Sequence, residues 1–158
     1  MLSRSIAFFK NIALSNASPR QLAFAVSLGT YVAFSPFFGF HTIMLVAAGW
    51  LFNLNIPFLI AVGYGINNPW TMIPIYMSGY LFGYWLLHTV AAVPVLTLNP
   101  SWMGWFNEKV MVYLQIKELS FWAFMLGGNV LGILLAIVAY PVTLLILKKM
   151  HSRRQINS

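Results

Sequence analysis

Residues 41–69 read HTIMLVAAGWLFNLNIPFLIAVGYGINNP, a stretch without Lys, Arg, Asp or Glu, punctuated by Asn53-Leu54-Asn55-Ile56-Pro57 and by Asn67-Asn68-Pro69. The apolar pieces between are short: Thr42 to Phe52 holds 11 residues and Phe58 to Ile66 holds 9. At 1.5 Å rise per residue they reach about 14–17 Å, roughly half of a hydrocarbon core about 30 Å thick. They read as half-helices. Broken backbone at membrane depth is tolerated only where protein covers it or where it lines a wet cavity. The same lengths also fit interfacial turns between tilted, slightly short spans.

The flanks carry the same signature. No Lys, Arg, Asp or Glu occurs from Gln21 to Asn107, nor from Leu119 to Leu147. The chain of 158 residues is 60% hydrophobic and 7% charged, where soluble domains average about a quarter charged. So few charges cannot clothe a soluble surface. The expectation is an all-α integral membrane protein with about four crossings, some helices broken or half-length, and interfacial amphipathic helices besides. Cysteine and aspartate are absent, and the two carboxylates are Glu108 and Glu118. That excludes aspartyl chemistry, disulfides, thiol nucleophiles and Cys-rich metal sites.

Three divisions are expected: an interfacial helix over 1–16, a helical membrane domain over 17–147, and a basic tail over 148–158. In the first, Leu2, Ile6, Phe9, Ile12 and Ala13 share one helical face opposite Arg4, Lys10 and Asn11. The amino terminus lacks a convincing cleavage site and is expected to be retained. Ser18-Pro19-Arg20-Gln21 is a helix start, with a capping serine, proline in the first turn and glutamine three residues on. That helix runs from Pro19 to about Ser35. Breaks follow at Pro36, Gly39, Pro57 and Pro69, and Pro74 falls in the first turns of a span from Pro69 to His88. From Trp102 to Leu114, aromatic and apolar residues recur at helical spacing, giving a second interfacial helix. A final helix ends near Leu147, with Gly127-Gly128 and Pro141 as bend points. Seven of the nine positive charges flank the two ends, so both termini are expected in the cytoplasm, with an even number of crossings.

Gly79 and Gly83 on one span, and Gly128 and Gly132 on another, are spaced four apart. Small residues at that interval let two helices approach closely, although glycine is also simply common in membrane helices. Asn67, Asn68 and Thr71 surround the Pro69 break and supply amides and a hydroxyl without formal charge. Asn68 is either a helix cap or part of a site where a helix start meets an anionic group. His41 beside the Pro36–Gly39 break, and Arg20 at the first span, are the outer candidates for such a site. Both also have plain readings, as an interfacial histidine and a snorkelling anchor. Three histidines on separate elements do not make a metal site, and no cofactor or catalytic residue is expected. The basic charge lies at the ends of membrane segments, which points to anionic lipid and away from nucleic acid.

The run Ser18-Pro19-Arg20-Gln21, the break Pro36 to Thr42, the Asn53–Pro57 turn, and above all Asn67-Asn68-Pro69-Trp70-Thr71 before Pro74 and Tyr76 resemble a bacterial membrane family. That family is domain of unknown function 2062, and the likeness covers roughly Ala17 to Leu147. In some chains a similar domain is joined to a glycosyltransferase. The resemblance therefore implies the bacterial cytoplasmic (inner) membrane and work on envelope glycoconjugates, with glycosyltransferases as partners.

Two functions follow from this reading. One is a carrier or lipid-handling protein whose broken segments enclose a polar site for an amphipathic anion such as a lipid-linked phosphate. The other is a non-catalytic scaffold or anchor for envelope enzymes. An enzyme ranks behind both.

Overall fold

A computed structural model describes residues 17–37, 39–90, 99–101, 104, 108 and 119–156. The interfacial helices expected over 2–14 and 102–114 lie outside the described residues, apart from isolated positions. Within them the fold is helical: α1 (Pro19–Phe34), α2 (His41–Leu51), α3 (Ile56–Ile66), α4 (Met72–Trp85), continued by a π-helical turn over Leu86–Val90, and α5 (Phe121–Ile156).

Local chemistry fixes each boundary. Ser18 and Gln21 form the expected reciprocal capping box at the start of α1. α1 ends at Phe34, two residues before Pro36, where Ser35 N–H bonds back to Tyr31 and Val32 and proline supplies no further amide proton. The Asn53–Pro57 punctuation joins two caps. Asn53 takes a left-handed φ of 50°, while Leu54 N–H reaches Gly49 O at 2.8 Å and Asn53 N–H reaches Trp50 O at 3.4 Å. That is a Schellman closure with asparagine at the position glycine usually fills. Asn55 then caps α3, its Oδ1 accepting from Phe58 N–H at 3.0 Å, and Pro57 sits in the first turn.

α2 and α3 therefore fold back as a hairpin against α1. The turn lies beside the amino-terminal half of α1, where Phe24 and Phe52 meet edge to face at 5.2 Å. Its open end lies at the carboxyl end of α1. Ala25, Val32, Leu45, Leu54 and Leu59 form the core between these three helices. Gly63 admits Leu45, Gly49 admits Ile56, and Gly29 admits Val62, each at a distance no added methyl would leave.

α5 is the spine. α1 lies antiparallel to it, with Ser27 Oγ–H donating to Ala136 O at 2.7 Å and Tyr31 O–H to Asn129 Oδ1 at 3.0 Å. α4 lies antiparallel to the earlier part of α5: Gly79 packs on Gly128, Gly83 on Gly127, and Tyr76 on Phe124. α1 and α4 thus follow one another along α5, with the hairpin inserted between them. Gly132 differs from the expected pairing, because it faces Tyr31 and Phe34 of α1 rather than α4. Gly127 takes its place against α4. α5, expected to end near Leu147, continues through Ile156.

Among the described residues one helix, over Phe121–Met150, is long and apolar enough to cross a membrane by itself, and its most apolar window is 6% buried. Apolar exposure extends well beyond it, to Trp50 at 78%, Trp70 at 90% and Ile73 at 68%.

Gly39 has a φ of 86° and nothing within 4 Å of where a side chain would start. Gly39→Ala is therefore expected to cost about 1 kcal/mol from backbone strain alone, measurable as a lowered melting temperature in detergent with no change in helix content.

Candidate functional site

The break between α1 and α4 brings four helix ends together around a cavity of about 230 Å³. Its wall includes Val32, Ala33, Leu45 and Met72 on the apolar side, with His41, Asn67, Asn68 and Tyr76 supplying polar groups. The carboxyl ends of α1 and α3 contribute carbonyls. The amino ends of α2, at His41, and of α4, at Met72, contribute the positive poles of two helix dipoles.

The polar side chains of the sequence motifs are spent on those carbonyls. Asn67 Nδ2–H donates to Ala33 O at 2.8 Å and to Tyr76 Oη at 3.2 Å. His41 Nε2 lies 3.1 Å from Ser35 O, and since a carbonyl only accepts, Nε2 carries the proton there. The Tyr76 hydroxyl is 3.4 Å from the same nitrogen. Thr71 O–H donates to Ile66 O, and Asn68 Nδ2–H to Gly65 O at 3.1 Å. Each reaches a carbonyl in the last turns of a helix or just beyond its end, where no further turn supplies a donor.

Asn68 also shapes the start of α4. Its Oδ1 accepts from Trp70 N–H at 3.0 Å and Thr71 N–H at 3.2 Å, while its backbone carbonyl accepts from Met72 N–H at 2.8 Å. One asparagine thus closes the end of α3 and opens α4.

The structure brings together His41, Asn67 and Asn68 at the cavity. Thr71 sits in the adjoining turn. Arg20 does not join them, because it lies 13 residues before Ala33 on α1, about 20 Å away along the helix. Tyr76 is the residue that sequence reasoning did not single out for the site. No spacing marks it, since its hydroxyl receives Asn67 Nδ2–H and lies beside His41 Nε2, partners set by tertiary contact.

Chemically, the cavity is one whose carbonyl ends are covered by side-chain donors, whose α4 start is closed by Asn68, and whose α2 start at His41 carries no side-chain cap. Its volume is below the roughly 300–1,000 Å³ of small-molecule sites, enough for a headgroup and not for a whole lipid. Among the described residues no cluster of three or more metal-ligating side chains occurs.

Neither a curated protein nor a solved structure matches the chain. Residues 4–155 match a bacterial family described as "Uncharacterized protein conserved in bacteria (DUF2062)". This is the family whose proline breaks and Asn-Asn-Pro-x-Thr string were read above, and the match spans nearly the whole chain, so the protein belongs to the DUF2062 family.

Proposed function

We propose that this chain is a small multi-pass protein of the bacterial inner membrane that handles an amphipathic anion, a lipid-linked phosphate, at the cavity between its broken helices. The observation that carries the reading is the pairing of two helix amino ends with an apolar wall at one cavity, while the opposing carbonyls are covered by His41 and Asn67. Such a site takes a charged head and leaves its apolar tail among Tyr64 and the exposed apolar residues outside.

The membrane placement is supported by the exposed apolar side chains of α2, α4 and α5. α2 and α3 hold 11 residues each, about 16 Å, too short to cross alone. We read them as a re-entrant hairpin. α5 makes one crossing, and α1 followed by α4 makes a second, discontinuous one, which replaces the four crossings expected from length. The number stays even. Arg20, Lys148 and Lys149 gather at one end of α5, which by the positive-inside rule supports a reading with both termini in the cytoplasm.

Tyr76→Phe tests the site with little disturbance, since the ring keeps its contact with Phe124 and Asn67 keeps Ala33. A polyprenyl phosphate presented in liposomes should bind about tenfold more weakly to the variant, the worth of one hydrogen bond to a charged group. Unchanged binding, or none by the parent, would remove the carrier reading. The scaffold reading then stands, favoured by one observation: the side-chain hydrogen bonds of Asn67, Asn68, Thr71 and His41 run to other groups of the protein.

A further inference from the structure

Arg20, displaced from the cavity, stands at a groove of its own. The groove, of about 760 Å³, lies between α1, α5 and the hairpin turn, and is three times the size of the cavity. Phe24, Leu28, Ile133 and Ile137 give it apolar walls, with Arg20 and Tyr140 toward the end of α5 that carries Lys148 and Lys149. Its other polar side chains are already engaged within the protein: Gln21 on Ser18 N–H, Ser27 on Ala136 O, and Tyr31 on Asn129. The guanidinium is different. No acidic residue occurs within α1–α5, so none of these helices supplies a carboxylate to Arg20.

We infer that this groove holds one anionic phospholipid from the leaflet on the basic side, its phosphate on Arg20 and an acyl chain along Phe24, Leu28 and Ile137. The inference rests on the membrane placement above but not on the cavity as a ligand site. Three features support this occupant. Charge is complementary, because a guanidinium forks onto phosphate oxygens in a bidentate geometry. The volume falls within the range of sites that enclose a small amphipathic ligand. The neighbouring lysines raise the local concentration of anionic lipid at that end of the molecule. Below Arg20 the wall is dry, which suits a chain and offers nothing to a polar solute.

The test is lipid retention. The protein is reconstituted in nanodiscs of equal phosphatidylglycerol and phosphatidylcholine with matched acyl chains, released into mild detergent, and its bound lipids are counted by native mass spectrometry. One phosphatidylglycerol should remain, preferred about tenfold over phosphatidylcholine. Arg20→Gln should abolish that preference, Arg20→Lys should keep most of it, and Ala136→Phe should lose the lipid with Arg20 intact, all three with parental helix content. Tyr76→Phe should leave it unchanged. Retention by Arg20→Gln overturns the inference, as does loss of lipid on adding millimolar inorganic phosphate, which would mark a simple anion site. Transfer of the preference to Tyr76→Phe sensitivity would place the lipid in the cavity and also overturn it. Failure of the protein to enter nanodiscs would instead defeat the membrane placement on which the inference stands.

Discussion

Gly83→Ala is expected to lower the stability of the protein in detergent by about 3 kcal/mol, a fall of roughly 6–12 °C in melting temperature for a chain of this size. The sign is opposite to helix propensity, which favours alanine over glycine by about 1 kcal/mol in a helix interior. It reverses because a methyl at Gly83 would collide with Ala123 O and with the Gly127 backbone, neither of which can rotate away. The same holds in mirror image for Gly127, which meets Gly79 O and the backbone of Gly83. Small residues here let the α4 and α5 backbones touch, and that contact holds α4, the second half of the proposed discontinuous crossing, in place. Gly65 supplies the control, with nothing within 4 Å of its added methyl. Gly65→Ala is expected to be neutral or to gain about 0.5 kcal/mol. Equal responses at Gly83 and Gly65 would mean that α4 and α5 do not pack through these glycines.

The two adjacent asparagines are expected to answer the same substitution in opposite ways. Asn67 acts as a donor, giving its Nδ2 protons to Ala33 O and Tyr76 Oη. Asn67→Asp keeps the shape, removes both donors and sets carboxylate oxygen against carbonyl oxygen in an apolar setting. The expected loss is about 3 kcal/mol or more, the penalty of an unsatisfied and charged group. Asn68 acts mainly as an acceptor, through the Oδ1 that receives Trp70 and Thr71 N–H. Asn68→Asp keeps that oxygen and adds negative charge at a helix start, where it is favourable. Only the bond to Gly65 O is lost. Thermal melts of the two variants should therefore separate widely, with Asn68→Asp within about 1 kcal/mol of the parent.

Much of the helix layout was legible because its determinants are local. Ser18 and Gln21, Pro36, the Asn53–Pro57 string and Asn67–Pro69 each act within a few residues, and each sets a helix boundary close to where the sequence places it. The family could be read from the same punctuation. What lay beyond sequence was which helix end meets which. Apolar periodicity is weak when lipid and protein neighbours are equally greasy, so nothing in the pattern says that α1 meets the Gly128–Gly132 side of α5 while α4 meets the side that carries Gly127. For that reason Gly132 was assigned to α4 and Gly127 passed over, and Arg20 was grouped with residues it does not approach. Tyr76 escaped for a related reason: its role is to receive Asn67 across the break, a contact with no repeat or spacing to announce it. The chemistry of the string was clearer than its geometry. Asn67, Asn68 and Thr71 were read as polar groups serving a helix start, and they also finish the helices that precede it.

The proposed discontinuous crossing is the centre of this account, and site-specific labelling tests it directly. The chain contains no cysteine, so one introduced at a time reports a single position. Ala17→Cys, Val90→Cys and Met150→Cys mark the start of α1, the end of the π-helical turn after α4, and the far end of the apolar part of α5. In right-side-out and inverted membrane vesicles, an impermeant maleimide should reach Ala17→Cys and Met150→Cys from the cytoplasmic face and Val90→Cys from the opposite face. Labelling of Val90→Cys from the same face as Met150→Cys would contradict the account, because α1 and α4 could not then complete one crossing beside α5.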